Sequence, residues 1–151
     1  MSEQVNRRYK HTGAMPSPSR KNMERMRKFY DRSVNMVAGV VSGYISEDCI
    51  MHLQMLPSWV DEVKEVQLNA AQALVTFFNV TGHMPRPFGR EFPLFAFYQR
   101  MTRRWYGEEH GVVFDETYTT LNEIPDWTSY SEYYTQLEQA KELLHVFHLS
   151  E

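Results

Sequence analysis

Two groups of residues in this chain have the types and spacing to do chemistry: arginines crowded between positions 83 and 105, and cysteine or histidine pairs at metal-ligand intervals. The first stretch holds Arg86, Arg90, Arg100, Arg103 and Arg104 against one acid, Glu91, a local charge of +4. Guanidiniums at that density neutralise phosphates, and Gln99 or Arg100 has the donors to read base edges if the segment enters a major groove. The second group, Cys49-x-x-His52 and His145-x-x-His148, resembles ligand pairs only in spacing. A structural zinc site takes four ligands, usually as two close pairs, and these pairs come from distant segments with one sulfur between them. No metal and no cofactor are expected.

Covalent catalysis would need a nucleophile beside a base, yet the chain has no G-x-S-x-G elbow, no Cys–His signature and no S-x-x-K. Neither G-x-x-x-x-G-K-[ST] nor G-x-G-x-x-G occurs, so no phosphate cradle of those types is encoded. The acid pairs Asp61-Glu62 and Glu108-Glu109 are sequence neighbours. On a helix, neighbours point about 100° apart, a poor arrangement for shared acid–base work. The expectation is a binding protein, not an enzyme.

The 151 residues suffice for one domain with its own core. One cysteine excludes an intrachain disulfide and suits a reducing compartment, and neither a signal peptide nor an apolar run of membrane-spanning length is evident. A soluble, cytoplasmic protein is expected. The net charge of −3 conceals a gradient: residues 1–28 carry eight Lys/Arg against two acids, residues 29–106 seven against seven, and residues 107–151 one, Lys141, against ten. That asymmetry suits a basic arm for nucleic acid and an acidic flank for a protein, or two solvated ends that neutralise one another.

The elements that must position these groups read as all-α, a small helical bundle. Residues 1–18, with Pro16 and Pro18 among polar and basic residues, form a flexible arm, and residues 19–151 a single helical domain. Ser17 and Pro18 are placed to start a first helix through Met26, Tyr30, Val34, Val37, Val41 and Tyr44. Its second half, with Gly39, Gly43 and β-branched residues, reads as irregular or extended. Ser46 caps a short helix that Pro57 stops, and Ser58 caps a longer one whose stripe is Trp59, Val63, Val66, Ala70, Ala73 and Phe77, closed by Gly82. After the proline-rich loop 83–93, Pro93 opens a helix with Leu94, Phe97, Met101 and Trp105 inward and Ala96, Gln99, Arg100, Arg103 and Gly107 opposite. Asp115 begins a short helix through Leu121. Ser129 with Glu132 makes a capping box for the last, with Tyr133, Leu137, Ala140, Leu144 and Phe147 inward.

The order Trp59, Leu68, Leu74, Phe78, the TGHMPRP run, Leu94-Phe95-Ala96-Phe97 with Gln99-Arg100, then Gly111, Leu121, Ile124 and Trp127 resembles the helicase-associated domain. The likeness covers residues 59–127, nearly half the chain. It implies a three-helix module whose presumed role is DNA binding, of the kind attached to helicases of bacteria, phages and mobile elements. Phe95 replaces the family's small glycine, Phe97 stands at its tryptophan position, and the third helix is acidic where the family is commonly basic. No helicase accompanies the module in this chain.

Two functions follow as expectations. In the first, duplex DNA is bound by Arg86, Arg90, Gln99, Arg100, Arg103 and Arg104, assisted by Arg7, Arg8, Lys10, Arg20 and Lys21. In the second, a protein-binding adaptor or inhibitor, encoded by a phage or mobile element, docks on a basic partner through Tyr118, Tyr130, Tyr134, Glu132, Glu138 and Glu142. Neither reading involves a membrane or a small-molecule substrate.

Overall fold

A computed structural model describes residues 19–150, without the side chains of residues 129–135, 137, 138 and 150. The arm residues Arg7, Arg8 and Lys10 therefore lie outside the described residues, as do the side chains of Tyr130, Glu132, Tyr134 and Glu138. Six α-helices and no strand are present among the described residues: α1 (Arg20–Ala38), α2 (Glu47–Leu53), α3 (Trp59–Thr81), α4 (Phe92–Trp105), α5 (Asp115–Leu121) and α6 (Tyr130–Ser150). Two 3-10 turns, Gly89–Glu91 and Trp127–Ser129, lead into α4 and α6. The fold is all-α, as expected. No described helix is long and apolar enough to cross a membrane. The chain divides into two compact units, residues 1–32 and 33–151.

In the second unit, α3 packs against α4 and α5, and α4 also meets α6. Ala71, Leu74 and Val75 of α3, Phe97, Tyr98 and Met101 of α4, Leu121 of α5, and Met84, Ile124 and Trp127 from the connections form one apolar cluster. Burying large aromatics here provides the main driving force, about 1.5–3 kcal/mol for each fully buried large apolar side chain. Their polar ends are satisfied. Tyr98 donates its hydroxyl proton to the Trp127 carbonyl at 2.7 Å, and Trp127 Nε1 donates to Asn122 at 3.0 Å.

Several expected details need correction. In α3 the buried stripe is Trp59, Val63, Gln67, Ala71, Leu74 and Val75; Val66, Ala70 and Phe77 are half-buried and Ala73 is exposed. The apolar count missed this rotation because Gln67, a polar residue, occupies the stripe's centre. Ser58 stands at the N-cap with φ +66° and makes no side-chain cap, whereas Ser46 caps α2 by accepting from Cys49 N at 3.2 Å. Trp105 is not core: it is 46% exposed and stacks on Tyr118 at 4.5 Å. That stacking, with Trp127 edge-on to Tyr118 at 6.2 Å, leaves Tyr118 half-buried and not the exposed contact expected of it. Ala140, Leu144 and Phe147 are exposed and not inward, and the side chains of Ser129, Glu132, Tyr133 and Leu137, expected to cap or pack this helix, lie outside the described residues.

Candidate nucleic-acid interface

The first helix carries the clearest charged surface. Along residues 20–32, Arg20, Lys21, Arg25, Arg27, Lys28 and Arg32 are all exposed, against Glu24 and Asp31. At 100° per residue, Lys21, Arg25, Lys28 and Arg32 fall within about 60° of arc and run about 16 Å along the axis. The two acids lie off this stripe, beside Arg20 and Arg27, and Glu24 pairs with Arg20 at 3.9 Å. Met23 and Met26 occupy the opposite side. Ser19 starts the helix by accepting from Asn22 N at 3.2 Å, two residues after the expected Ser17. Sequence reasoning named Arg20 and Lys21 but missed Arg25, Lys28 and Arg32; the i, i+4, i+7, i+11 spacing was the available signal.

The arginines of α4 are divided. Arg103 is exposed, as are Arg86 and Arg90 in the preceding segment, and Gln99 is half-buried. Arg86 donates its backbone N–H to the Glu91 carboxylate at 3.3 Å, which ties the loop to the start of α4. Arg100 and Arg104 are not displayed on an open face. Arg100 Nη1 donates to the carbonyls of Gly39 and Val40 at 3.0 and 3.3 Å. Arg104 donates from Nη1 to Val37 O at 2.8 Å and Val112 O at 3.3 Å, and from Nη2 to Met36 O at 3.3 Å. Its side chain is 6% exposed, and Nε stands 3.9 Å from Glu109 Oε2.

The cause lies in how α1 ends. Gly39, at φ +83°, turns the chain out of the helix after Ala38, leaving last-turn carbonyls without intrahelical donors. Two guanidiniums from α4 supply those donors and place positive charge at the negative end of the helix dipole. A Cβ on Gly39 would come within 2.6 Å of Met101 Cε, and one on Gly111 would collide with the Arg104 side chain. Both positions must be glycine for Arg104 to lie between them. Burial lowers the pKa of both arginines below the ordinary value; Glu109 opposes the shift in each, and for Arg104 the neighbouring Arg100 reinforces it.

Gln67 completes the bracket. Fully buried, it donates to Ala38 O at 3.2 Å and Val112 O at 2.9 Å and accepts from Phe114 N at 2.9 Å. Beside it opens a cleft of about 490 Å³ with Ile50, Trp59, Val60 and Phe114 among its mostly apolar walls and Arg104 and Glu109 among its charged ones. Of the expected ligand-pair residues, His52 Nδ1 hydrogen-bonds Asp48 O at 2.7 Å; elsewhere His110 meets Glu47 at 3.0 Å. Among the described residues no three His, Cys, Asp or Glu gather as a metal site would require.

Comparison with protein-family models, curated proteins and solved structures finds no match to this chain.

Proposed function

We propose that this protein is a non-enzymatic duplex-DNA-binding protein whose principal contact is the basic stripe of α1. The observation that carries the reading is the run Lys21, Arg25, Lys28 and Arg32, four exposed cations on one narrow face with no acid between them. A stripe of that length spans several backbone phosphates, and phosphate neutralisation supplies most of the affinity of sequence-independent DNA binding. Arg86, Arg90 and Arg103 are exposed and add a secondary contribution, while Arg100 and Arg104 serve the fold.

The test is the salt dependence of duplex binding. Four phosphate contacts give a slope of log affinity against log salt of about −3.6, by the rule of −0.9 per phosphate. Replacing Lys21, Arg25, Lys28 and Arg32 together with Ala should flatten the slope by about 3.6, leaving the smaller contribution of Arg86, Arg90 and Arg103, with helicity retained because all four are exposed. No binding at low salt, or stronger retention on anionic vesicles than on duplex, would overturn the reading.

A further inference from the structure

Among the described residues, one apolar side of the last helix is exposed. Ala140, Leu143, Leu144 and Phe147 are exposed, with Leu143 at 71%, Leu144 at 57% and Phe147 at 59%. The Phe147 ring has the adjacent His148 edge-on at 6.2 Å and otherwise faces outward. At 100° per residue these four side chains lie within about 100° of arc, the width that helices bury against a neighbour, while Val146 and Leu149, also exposed, lie off this arc. Residues 143–150 contain no Asp, Glu, Lys or Arg, although the surrounding third, residues 107–151, holds ten acids.

We infer that this face is a homodimer seam, closed by α6 of a second copy running antiparallel. Three features select a copy of this chain over the basic partner expected from the acidic flank. First, the seam is its own complement. Reversing the helix about the point between Leu143 and Leu144 exchanges Ala140 with Phe147 and Leu143 with Leu144, so the smallest side chain meets the largest and the leucines meet each other. An isologous two-fold contact requires this kind of self-complementarity. Second, the seam is uncharged, so two acid-rich chains meet where repulsion is least, and a cationic partner would find no carboxylate within it. Third, the area is of the right order. Roughly 100 Å² from each of Leu143, Leu144 and Phe147, with Ala140 and the flanking Gln136 and Lys141, gives about 500 Å² per copy and on the order of 1,000 Å² for the pair. That is the lower limit for a specific interface, and it fits a weak, concentration-dependent dimer.

Sedimentation velocity on the full chain without DNA tests the seam separately from the DNA reading. Between about 1 and 500 μM, the concentrations suited to a micromolar dissociation constant, the weight-average mass should rise from monomer toward dimer. Leu144→Glu with Phe147→Glu should raise the dissociation constant at least about 100-fold, since both side chains would bury a charge. Leu144→Gln should give a smaller loss in the same direction, and circular dichroism should show helicity retained because both residues are exposed. Ala140→Phe alone should crowd the seam, and Ala140→Phe combined with Phe147→Ala should restore association, because the antiparallel pairing exchanges those two positions. A monomer at every concentration, or a dimer indifferent to the Leu144 and Phe147 changes, would overturn the proposal. Failure of the size exchange to restore dimerisation would overturn the antiparallel pairing.

Discussion

The cations of α1 and those of α4 have the same chemistry and opposite fates. Along α1, the lysines and arginines of residues 20–32 are exposed and extend into solvent. Along α4, Arg100 and Arg104 come within reach of the frayed end of α1, and its carbonyls take them up at 2.8–3.3 Å. A buried carbonyl without a donor costs about 1–3 kcal/mol, and charge-assisted hydrogen bonds to several such carbonyls offset the desolvation of the guanidinium. What decides whether an arginine displays or supports is thus the state of the backbone next to it, and local charge density does not report that.

The largest expected effect tests the supporting role. Arg104→Ala removes the guanidinium from Val37 O, leaves Met36 O and Val112 O with only Gly39 N and Gln67 Nε2, and takes the paired cation from Glu109, so unfolding in urea should show a loss of about 3–5 kcal/mol, the range for breaking a buried charged network. Arg104→Lys should recover only part, because one ammonium cannot span three carbonyls as a fork does. Gln67→Leu comes next. It keeps the volume but takes a partner from Ala38 O and Phe114 N and leaves Val112 O with Arg104 alone, for an expected loss of about 2–3 kcal/mol. If either variant proved neutral, the bracket would be incidental and Arg104 would again be open to a binding role.

Much of this fold was legible from residue order alone. Trp59 through Gly82, Pro93 through Trp105 and Asp115 through Leu121 follow from helical period, a left-handed glycine at 82, a first-turn proline and acids at a helix start. The end of α1 was half legible: Gly39 and Gly43 signalled a break, which the structure places after Ala38. Less could be read of the site, for three physical reasons. Gln67 is polar, so an apolar count rotated the α3 stripe away from it. Arg100 and Arg104 lie about 60° and 20° of helical arc from Phe97, on the flank of the buried face, and what covers that flank is the end of α1, 60 or more residues earlier in the chain. The seam on α6 looks like core by spacing, since Ala140, Leu144 and Phe147 carry the same pattern whether the covering element belongs to this chain or to another.

The smallest expected change in stability tests the displayed set, and it separates the two arginine roles most sharply. Arg25 and Lys28 stand exposed in the middle of the α1 stripe, so Arg25→Ala and Lys28→Ala should each move unfolding free energy by no more than about 0.5 kcal/mol, the usual bound for surface substitutions. Alanine is also the stronger helix former, which limits any loss of α1 itself. Each should nevertheless flatten the salt slope of duplex binding by about 0.9. Arg100→Ala should behave in the reverse sense. It deprives the Gly39 and Val40 carbonyls of a donor and costs about 1–3 kcal/mol, while the slope stays unchanged. Urea titration and a salt series on the same three variants place each on two axes, stability and slope. Arg25 and Lys28 should move along the second and Arg100 along the first. A variant of Arg100 that flattened the slope without destabilising the fold would return the interface to α4, because a guanidinium held by Gly39 and Val40 would then have to leave them to meet a phosphate.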